Sequence, residues 1–215
     1  MFIDAIGFKS FAKDELKVLL FYALAFLICF YFFYGLSSLV YNDDTVGMEV
    51  AFAWEKNIPF IPEFAWIYNS LALLLSCSLF IIRKRDRVHG YFIVLCAQVI
   101  IASIIFLWLP IEKTFPPRYG AETLPWIFIL ADTVNLDHND FPSLHVCLAF
   151  TASLISARYV RPLYALLLIA WAVLIALSTM LIHEHHFIDV AGGLVLSLIG
   201  AVAYAQRSVR LSVSV

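Results

Sequence analysis

The sequence predicts an all-α membrane protein, a bundle of six transmembrane helices that forms a single integral membrane domain over residues 1–215. Hydrophobic residues make up 63% of the chain and charged residues only 14%, and the mean hydropathy is +0.90. A soluble domain carries roughly a quarter charged residues, so this composition indicates a surface that faces lipid. Six apolar runs, each near the roughly 20 residues that cross a bilayer, then supply the spans.

The predicted elements begin with residues 1–17, where Phe and Ile are interspersed with Asp, Glu and Lys. This mixture is typical of an amphipathic helix at the membrane interface, and no cleavable signal peptide is expected. In hydrocarbon the backbone must satisfy its hydrogen bonds within each segment, so the apolar runs are expected to be helices. They cover residues 18–40, 64–82, 91–109, 144–159, 163–182 and 188–205.

Basic residues predict how the chain is oriented. Eleven of its 14 Lys and Arg lie on one side of the predicted helices, and the positive-inside rule makes that side the cytoplasm. We therefore expect a multi-pass protein of the cell membrane with both termini in the cytoplasm. Two long loops, 41–63 and 110–141, then lie on the extracytoplasmic side and carry the remaining basic residues, Lys56, Lys113 and Arg118.

Charge and cysteine content argue against two classes of function. The net charge is −2 and no basic patch is interleaved with stacking aromatics, so no nucleic-acid partner is expected. The four cysteines fall inside apolar runs without a C-x-x-C pair. This placement predicts small buried hydrophobic residues rather than disulfides or a metal site.

The strongest local pattern runs from His185 to Asp189, at the start of the last apolar run. Residues four apart share a helix face, so a helix that begins here places the carboxylate beside the imidazole. A carboxylate in that position fixes the imidazole tautomer and stabilises the positive charge that develops when the other nitrogen attacks. The alternative is an interfacial loop in which Asp189 only caps a helix.

A second pattern, from Asp140 to His145, precedes the fourth apolar run. Either Asp140 or Ser143 is expected to cap the helix, and Pro142 suits its first turn. The unpaired N–H groups of a helix N-terminus bind phosphate, which makes Ser143 a candidate phosphate-binding residue. His145 lies near the same turn and can then protonate a leaving oxygen. The alternative is a capped helix with an incidental histidine.

A third pattern is the pair Lys113 and Arg118, in the outer loop before the fourth span. Arginine binds phosphate oxygens in a forked geometry, and lysine adds a point charge. Taken alone, the pair is more simply explained as solvated loop charges. The predicted topology brings all three patterns to one face of the membrane, however, which indicates a site for phosphate chemistry.

The order of these patterns resembles the type 2 phosphatidic acid phosphatase superfamily. The shared features are a basic loop, a Pro-Ser-x-His motif at 142–145 and a Ser-x6-His-x3-Asp motif at 178–189. By these motifs the resemblance covers the second half of the chain, and the six-span plan extends it over most of the rest. It implies an enzyme that acts on a membrane lipid phosphate and needs no cofactor and no metal.

The resemblance also implies a role for each site residue. It makes His185 the nucleophile, with Asp189 as its partner. It makes His145 the general acid that protonates the leaving group. The basic residues Lys113 and Arg118 then hold the phosphate.

Three features depart from the superfamily pattern. The basic residues are separated by four positions rather than six, Leu144 replaces a glycine, and Thr179 replaces an arginine. The forms Ser-Leu-His at 143–145 and His-His-Phe-Ile-Asp at 185–189 are similar to the inositol phosphorylceramide synthase branch. That branch transfers a phospho-alcohol between lipids.

Two related functions follow from the resemblance. One is hydrolysis of a lipid phosphomonoester or pyrophosphate at the extracytoplasmic face through a phosphohistidine intermediate. The other is transfer of a phosphate or phospho-alcohol group between lipids. A hypothesis from another class is a metal site or metal transporter, since imidazole suits zinc and related ions. Its ligands would be His183, His185, His186 and Asp189, but three histidines within four positions cannot all point one way on a single helix.

Overall fold

The computed structural model describes residues 13–36, 39–41, 45–116, 124–136 and 138–213, and most of these are helical. The predicted interfacial helix falls mainly on residues 1–12, which lie outside the described residues, and its described remainder belongs to the first helix. A two-residue strand, β1 (Met48–Glu49), pairs in parallel with β2 (Ile111–Glu112). The helices are α1 (Lys13–Gly35), α2 (Ala65–Asn69), α3 (Leu71–Ile82), α4 (Arg85–Trp108), α5 (Trp126–Val134), α6 (Leu144–Ala157), α7 (Pro162–Leu181) and α8 (Phe187–Val213), with 3₁₀ turns at Ala53–Asn57 and Pro62–Phe64.

Five helical segments are long and apolar enough to cross a bilayer, by length and composition. They correspond to the first, second, third, fifth and sixth predicted spans. The predicted all-α class is therefore confirmed, while the count of six spans stays a prediction. The five segments are Asp14–Gly35, Pro62–Ile82, Arg85–Trp108, Pro162–Leu181 and Phe187–Ser208.

The predicted fourth span is the exception, because it forms α6, a helix of only 14 residues. At 1.5 Å per residue it is about 21 Å long, which is less than the roughly 30 Å of a hydrocarbon core. Helix α6 packs against α3, α4, α7 and α8, and most of its side chains are buried. Because protein rather than lipid surrounds it, the length of α6 need not match the bilayer.

Polar side chains join the neighbouring helices to α6. The Gln98 amide of α4 donates to Thr151 Oγ1 of α6 at 2.8 Å and to the Leu196 carbonyl of α8 at 3.0 Å. Ser153 of α6 donates to the Leu168 carbonyl of α7 at 2.8 Å. Hydrogen bonds between helices stabilise a bundle where apolar surface alone gives little preference for protein over lipid. They hold α4, α7 and α8 against α6.

Candidate active site

The histidine motifs meet at one end of the bundle, where α7 ends and α6 and α8 begin. The backbone N–H of Ser143 donates to the Asp189 carbonyl at 3.0 Å, so the middle and last motifs are in direct contact. The two outer loops also meet, since the Met48 N–H donates to the Pro110 carbonyl at 2.8 Å beside the β1–β2 pair. Of the predicted site residues, Arg118 lies outside the described residues, and the others come together here.

A tight turn between α7 and α8 presents His185 to the site. The turn depends on His183, whose φ of 57° is in the left-handed region. The backbone N–H groups of Glu184 and His185 both donate to the Thr179 carbonyl, at 2.9 and 3.1 Å. This arrangement ends α7 and directs the chain back toward α8, with His185 between the two helices.

Asp189 interacts with both the helix and the histidine. Its Oδ2 atom accepts a hydrogen bond from the His186 backbone N–H at 2.8 Å, at the first turn of α8. The same oxygen lies 3.6 Å from Nδ1 of His185, and both side chains are buried. Its Oδ1 atom has no hydrogen-bond partner in the described part of the chain. A buried carboxylate at this place favours a proton on Nδ1 and leaves the Nε2 lone pair of His185 for attack.

His145 lies in the first turn of α6, near His185. The two ring centroids are 6.4 Å apart and the rings are tilted by 51°. His145 also stacks on Tyr68 of α2, with the ring centroids 3.8 Å apart and the ring planes 20° from parallel. The stack restrains the imidazole. The separation of the two histidines suits a phosphoryl group between an attacking nitrogen and a nitrogen that protonates the leaving oxygen.

Lys113 is held by two acidic side chains. Its Nζ atom donates to Glu184 Oε2 at 2.8 Å and lies 3.8 Å from Asp140 Oδ1. The same Glu184 oxygen accepts from Asn135 Nδ2 at 2.8 Å. Burial opposes the charge of Lys113, but the attraction of Asp140 and Glu184 outweighs it and raises the pKa of the lysine above its ordinary value. Lys113 therefore stays protonated, as a phosphate-binding residue must.

Asp140 faces the site rather than capping α6. Ser143 is the cap, since its Oγ atom accepts from the Val146 N–H at 3.4 Å. Asp140 Oδ1 lies 3.9 Å from Nδ1 of His185, while Oδ2 is buried without a hydrogen-bond partner among the residues described. Burial raises the pKa of Asp140 to about 6, although Lys113 lowers it. Nδ1 of His185 thus has two carboxylates near it, of which the sequence predicted only one.

Glu55, from the first outer loop, is a buried acid that was not predicted as part of the site. Its Oε2 atom accepts hydrogen bonds from His186 Nδ1 at 2.9 Å and from the Phe187 backbone N–H at 3.0 Å. The other ring nitrogen of His186 accepts from the Thr114 N–H at 3.2 Å, which assigns the proton to Nδ1. Glu55 and His186 together join the first loop, the loop of Lys113 and the start of α8.

His183 and His186 do not converge with His185. Phe115 stacks between them, with ring centroids 4.4 Å from His183 and 4.2 Å from His186. His183 Nε2 donates to the Ile58 carbonyl at 3.0 Å. Over the described residues, no group of three or more His, Cys, Asp or Glu has the geometry to hold a metal ion. The three imidazoles have separate partners, which argues against the metal hypothesis.

A cavity of about 40 Å³ lies at the two candidate catalytic histidines. Its polar wall includes Asp140, His145, Glu184 and His185 together with two asparagines of the loop after α5, and the apolar wall comes from that loop and from α1, α5 and α6. A cavity of this size accommodates a water molecule, provided that polar partners line it. The site therefore has a place for water beside both imidazoles.

A family model matches the second half of the chain. Residues 110–211 match the PAP2 superfamily, a stretch that begins just before Lys113, ends in α8 and contains all three motifs. No curated protein and no solved structure matches the sequence.

Proposed function

We propose that the protein is a lipid phosphate phosphatase, because residues 110–211 match the PAP2 superfamily, whose members are phosphoesterases or phosphotransferases. It hydrolyses a lipid phosphomonoester or pyrophosphate through a phosphohistidine intermediate. The observation that carries the proposal is the pair of imidazoles on one cavity. Nδ1 of His185 lies 3.6 Å from the Asp189 carboxylate, and the ring centroid of His185 lies 6.4 Å from that of His145.

In the first step Nε2 of His185 attacks phosphorus. The N–P bond forms as the bond from phosphorus to the lipid oxygen breaks, and His145 gives a proton to that oxygen. Positive charge develops on the His185 ring. The Asp189 carboxylate, 3.6 Å from Nδ1, stabilises this charge.

In the second step a water molecule hydrolyses the intermediate. His145, now without its proton, accepts one from water, and the water oxygen attacks phosphorus. The N–P bond breaks, phosphate leaves and His185 returns to its starting form. The water-sized cavity beside both imidazoles supports this step.

Fixed donors stabilise the charge on the phosphoryl oxygens. Lys113 supplies an ammonium group, which the acids Glu184 and Asp140 hold at the site. The first turn of α6, capped by Ser143, supplies backbone N–H groups. Arg118 is proposed as a second cation from the resemblance of its motif. Donors placed where charge develops lower the barrier of phosphoryl transfer.

We place this site on the extracytoplasmic face of the cell membrane and both termini in the cytoplasm. Most of the described basic residues lie at the bundle end opposite the histidines, at the start of α4, around the α6–α7 turn and late in α8, whereas Lys56 and Lys113 lie at the histidine end. The positive-inside rule assigns that end to the cytoplasm.

A panel of lipid phosphates with product analysis tests the proposed function. The purified protein is expected to release inorganic phosphate from a lipid phosphomonoester or pyrophosphate, and to do so in the presence of a metal chelator. Phosphate assay and mass spectrometry of the lipid products measure both outcomes. Absence of any phosphoryl product across the panel would contradict the proposal.

A specific residue favours the second candidate function, transfer to a lipid hydroxyl. Thr179 stands where the superfamily pattern has an arginine, and it is buried, with its Oγ1 donating to the Ala176 carbonyl at 2.8 Å. It therefore brings no charge to a phosphate. A site with fewer fixed cations suits a singly charged phosphodiester better than a doubly charged monoester. A new phosphodiester without free phosphate in the same panel identifies this reaction.

Replacing Asp140 with asparagine is expected to change how turnover depends on pH. Asp140 faces Lys113, His185, Asp189 and Glu184. In the native protein it is ionised above its pKa of about 6 and then stabilises the cationic form of His185. Turnover should therefore decrease as the pH falls through about 6. The asparagine side chain of Asp140→Asn is neutral at every pH, so the turnover of this variant should no longer decrease as the pH falls through about 6. At pH 7.5 the variant should turn over about tenfold more slowly than the native protein.

The measurement is kcat between pH 5 and 8 for the native protein and for Asp140→Asn. A second variant, Asp132→Asn, makes the same change at an exposed position on α5 and should keep the native profile. If kcat of Asp140→Asn still decreases as the pH falls through about 6, another group is responsible for that decrease.

A further inference from the structure

A second cavity, of about 490 Å³, lies at the end of the bundle opposite the histidines. Its lining comes from the start of α4, the C-terminal end of α6 and the last turns of α8. Asp189 and Arg207 are 18 residues apart on α8, so about 27 Å of helix separates the two sites. No role in the proposed reaction is assigned to any residue of this cavity.

Three arginines converge on this cavity from three elements: Arg87 from α4, Arg158 from the end of α6 and Arg207 from α8. Asp86 is the single acidic residue of the lining. Among the described residues, none of the three guanidinium groups has a carboxylate within 4.0 Å. The cavity thus concentrates three cations, none of which forms an ion pair with a carboxylate in the part of the chain that the structure describes.

The wall of the cavity is ordered by contacts between its own residues. The hydroxyls of Tyr159 and Tyr204 are 2.9 Å apart, and the Arg87 guanidinium lies 4.3 Å from the centre of the Tyr159 ring. Gly90 lets α8 approach closely: a methyl group there would lie 3.3 Å from the Tyr204 ring and 3.6 Å from Arg207 Nε. Stacking and close packing pre-organise the guanidinium groups of Arg87 and Arg207, which reduces the entropy lost on binding.

We propose that this cavity binds the phosphate headgroup of an anionic lipid, from the leaflet opposite the one that supplies the substrate. Guanidinium groups bind phosphate oxygens in a forked geometry, and one hydroxyl of the Tyr159–Tyr204 pair keeps a proton that it can donate to a phosphate. Basic pockets between transmembrane helices are places where anionic headgroups bind. The apolar side chains of Ile199 and Val202 on α8 are more than half exposed, so acyl chains can lie below the headgroup.

Native mass spectrometry of the purified full chain in detergent tests this proposal. The protein is titrated with phosphatidylglycerol or phosphatidylcholine that have the same acyl chains. We expect the native protein to bind phosphatidylglycerol at least about tenfold more tightly, and Arg158→Gln/Arg207→Gln to lose this preference. Turnover of a lipid phosphate at the other end should stay within about twofold of native, since no catalytic residue changes.

The matched control is Arg85→Gln/Arg161→Gln, which removes the same charge from the same end at exposed positions outside the cavity. It should retain the preference for phosphatidylglycerol, and both double variants should melt at the native temperature. If the control pair loses the preference for phosphatidylglycerol to the same extent, general attraction to the charged surface explains the binding and the proposal is overturned. Displacement of phosphatidylglycerol by millimolar inorganic phosphate at constant ionic strength would overturn the lipid assignment in favour of a soluble anion.

Discussion

His185→Ala is expected to lower kcat for a lipid phosphate by at least about 1,000-fold, because it removes the nitrogen that forms the bond to phosphorus. The loss should fall on kcat, while Lys113 and the first turn of α6 still bind the phosphate. The phosphate-release assay measures it, with substrate varied to separate kcat from KM. A loss of kcat smaller than about 1,000-fold would be incompatible with a covalent intermediate on the His185 ring.

The control for His185→Ala is His89→Ala, the same substitution at the opposite end of the bundle. His89 Nδ1 lies 3.0 Å from the Tyr22 hydroxyl, so this variant also loses one partly buried hydrogen bond. It should keep kcat within about twofold of native. If His185→Ala retains native turnover, the nucleophile is another group.

Gly193→Ala is expected to lower kcat about 100-fold without removing any catalytic group. The added methyl would lie 2.5 Å from the Ser143 carbonyl oxygen and 3.2 Å from the Cys147 backbone nitrogen. These are backbone atoms at the start of α6, so relief requires α6 to move relative to α8. That movement displaces His145 from His185, and a misplacement of about 1 Å costs roughly 100-fold in rate.

The same variant should also melt at a lower temperature, since overpacking of this kind costs about 1–3 kcal/mol. Gly35→Ala is the matched control, because a methyl group at Gly35 lies within 4 Å of no atom of the described residues. Native kcat in Gly193→Ala, with native melting, would show that the two motifs tolerate a wider separation than the structure has.

The spans and the motif residues were predictable because they depend on local signals. Hydropathy marks the helices that face lipid, and the spacing from His185 to Asp189 survives although α8 begins only at Phe187. The short length of α6 was harder to predict from the sequence. A helix enclosed by other helices is as apolar as one enclosed by lipid, so composition does not distinguish the two environments.

The acids around the site were harder to predict because their partners are distant in sequence. Glu55 binds His186 across 131 positions, and Glu184 binds Lys113 across 71. The sequence contains one feature that could have indicated Glu55. It is a single carboxylate directly after the apolar stretch 50–54. For Asp140, the sequence predicted only a candidate helix cap, and the structure shows that Ser143 takes the cap while Asp140 faces the site.

The central claim, that His185 carries the phosphoryl group, is tested most directly by trapping the intermediate. The purified protein is mixed with a lipid phosphate labelled on phosphorus, quenched in alkali within one turnover and digested. We predict a label that is stable in alkali, labile in acid and located on the peptide that contains His185, and that is absent from His185→Ala. Labelling at another residue, or turnover without any labelled protein, would contradict the account.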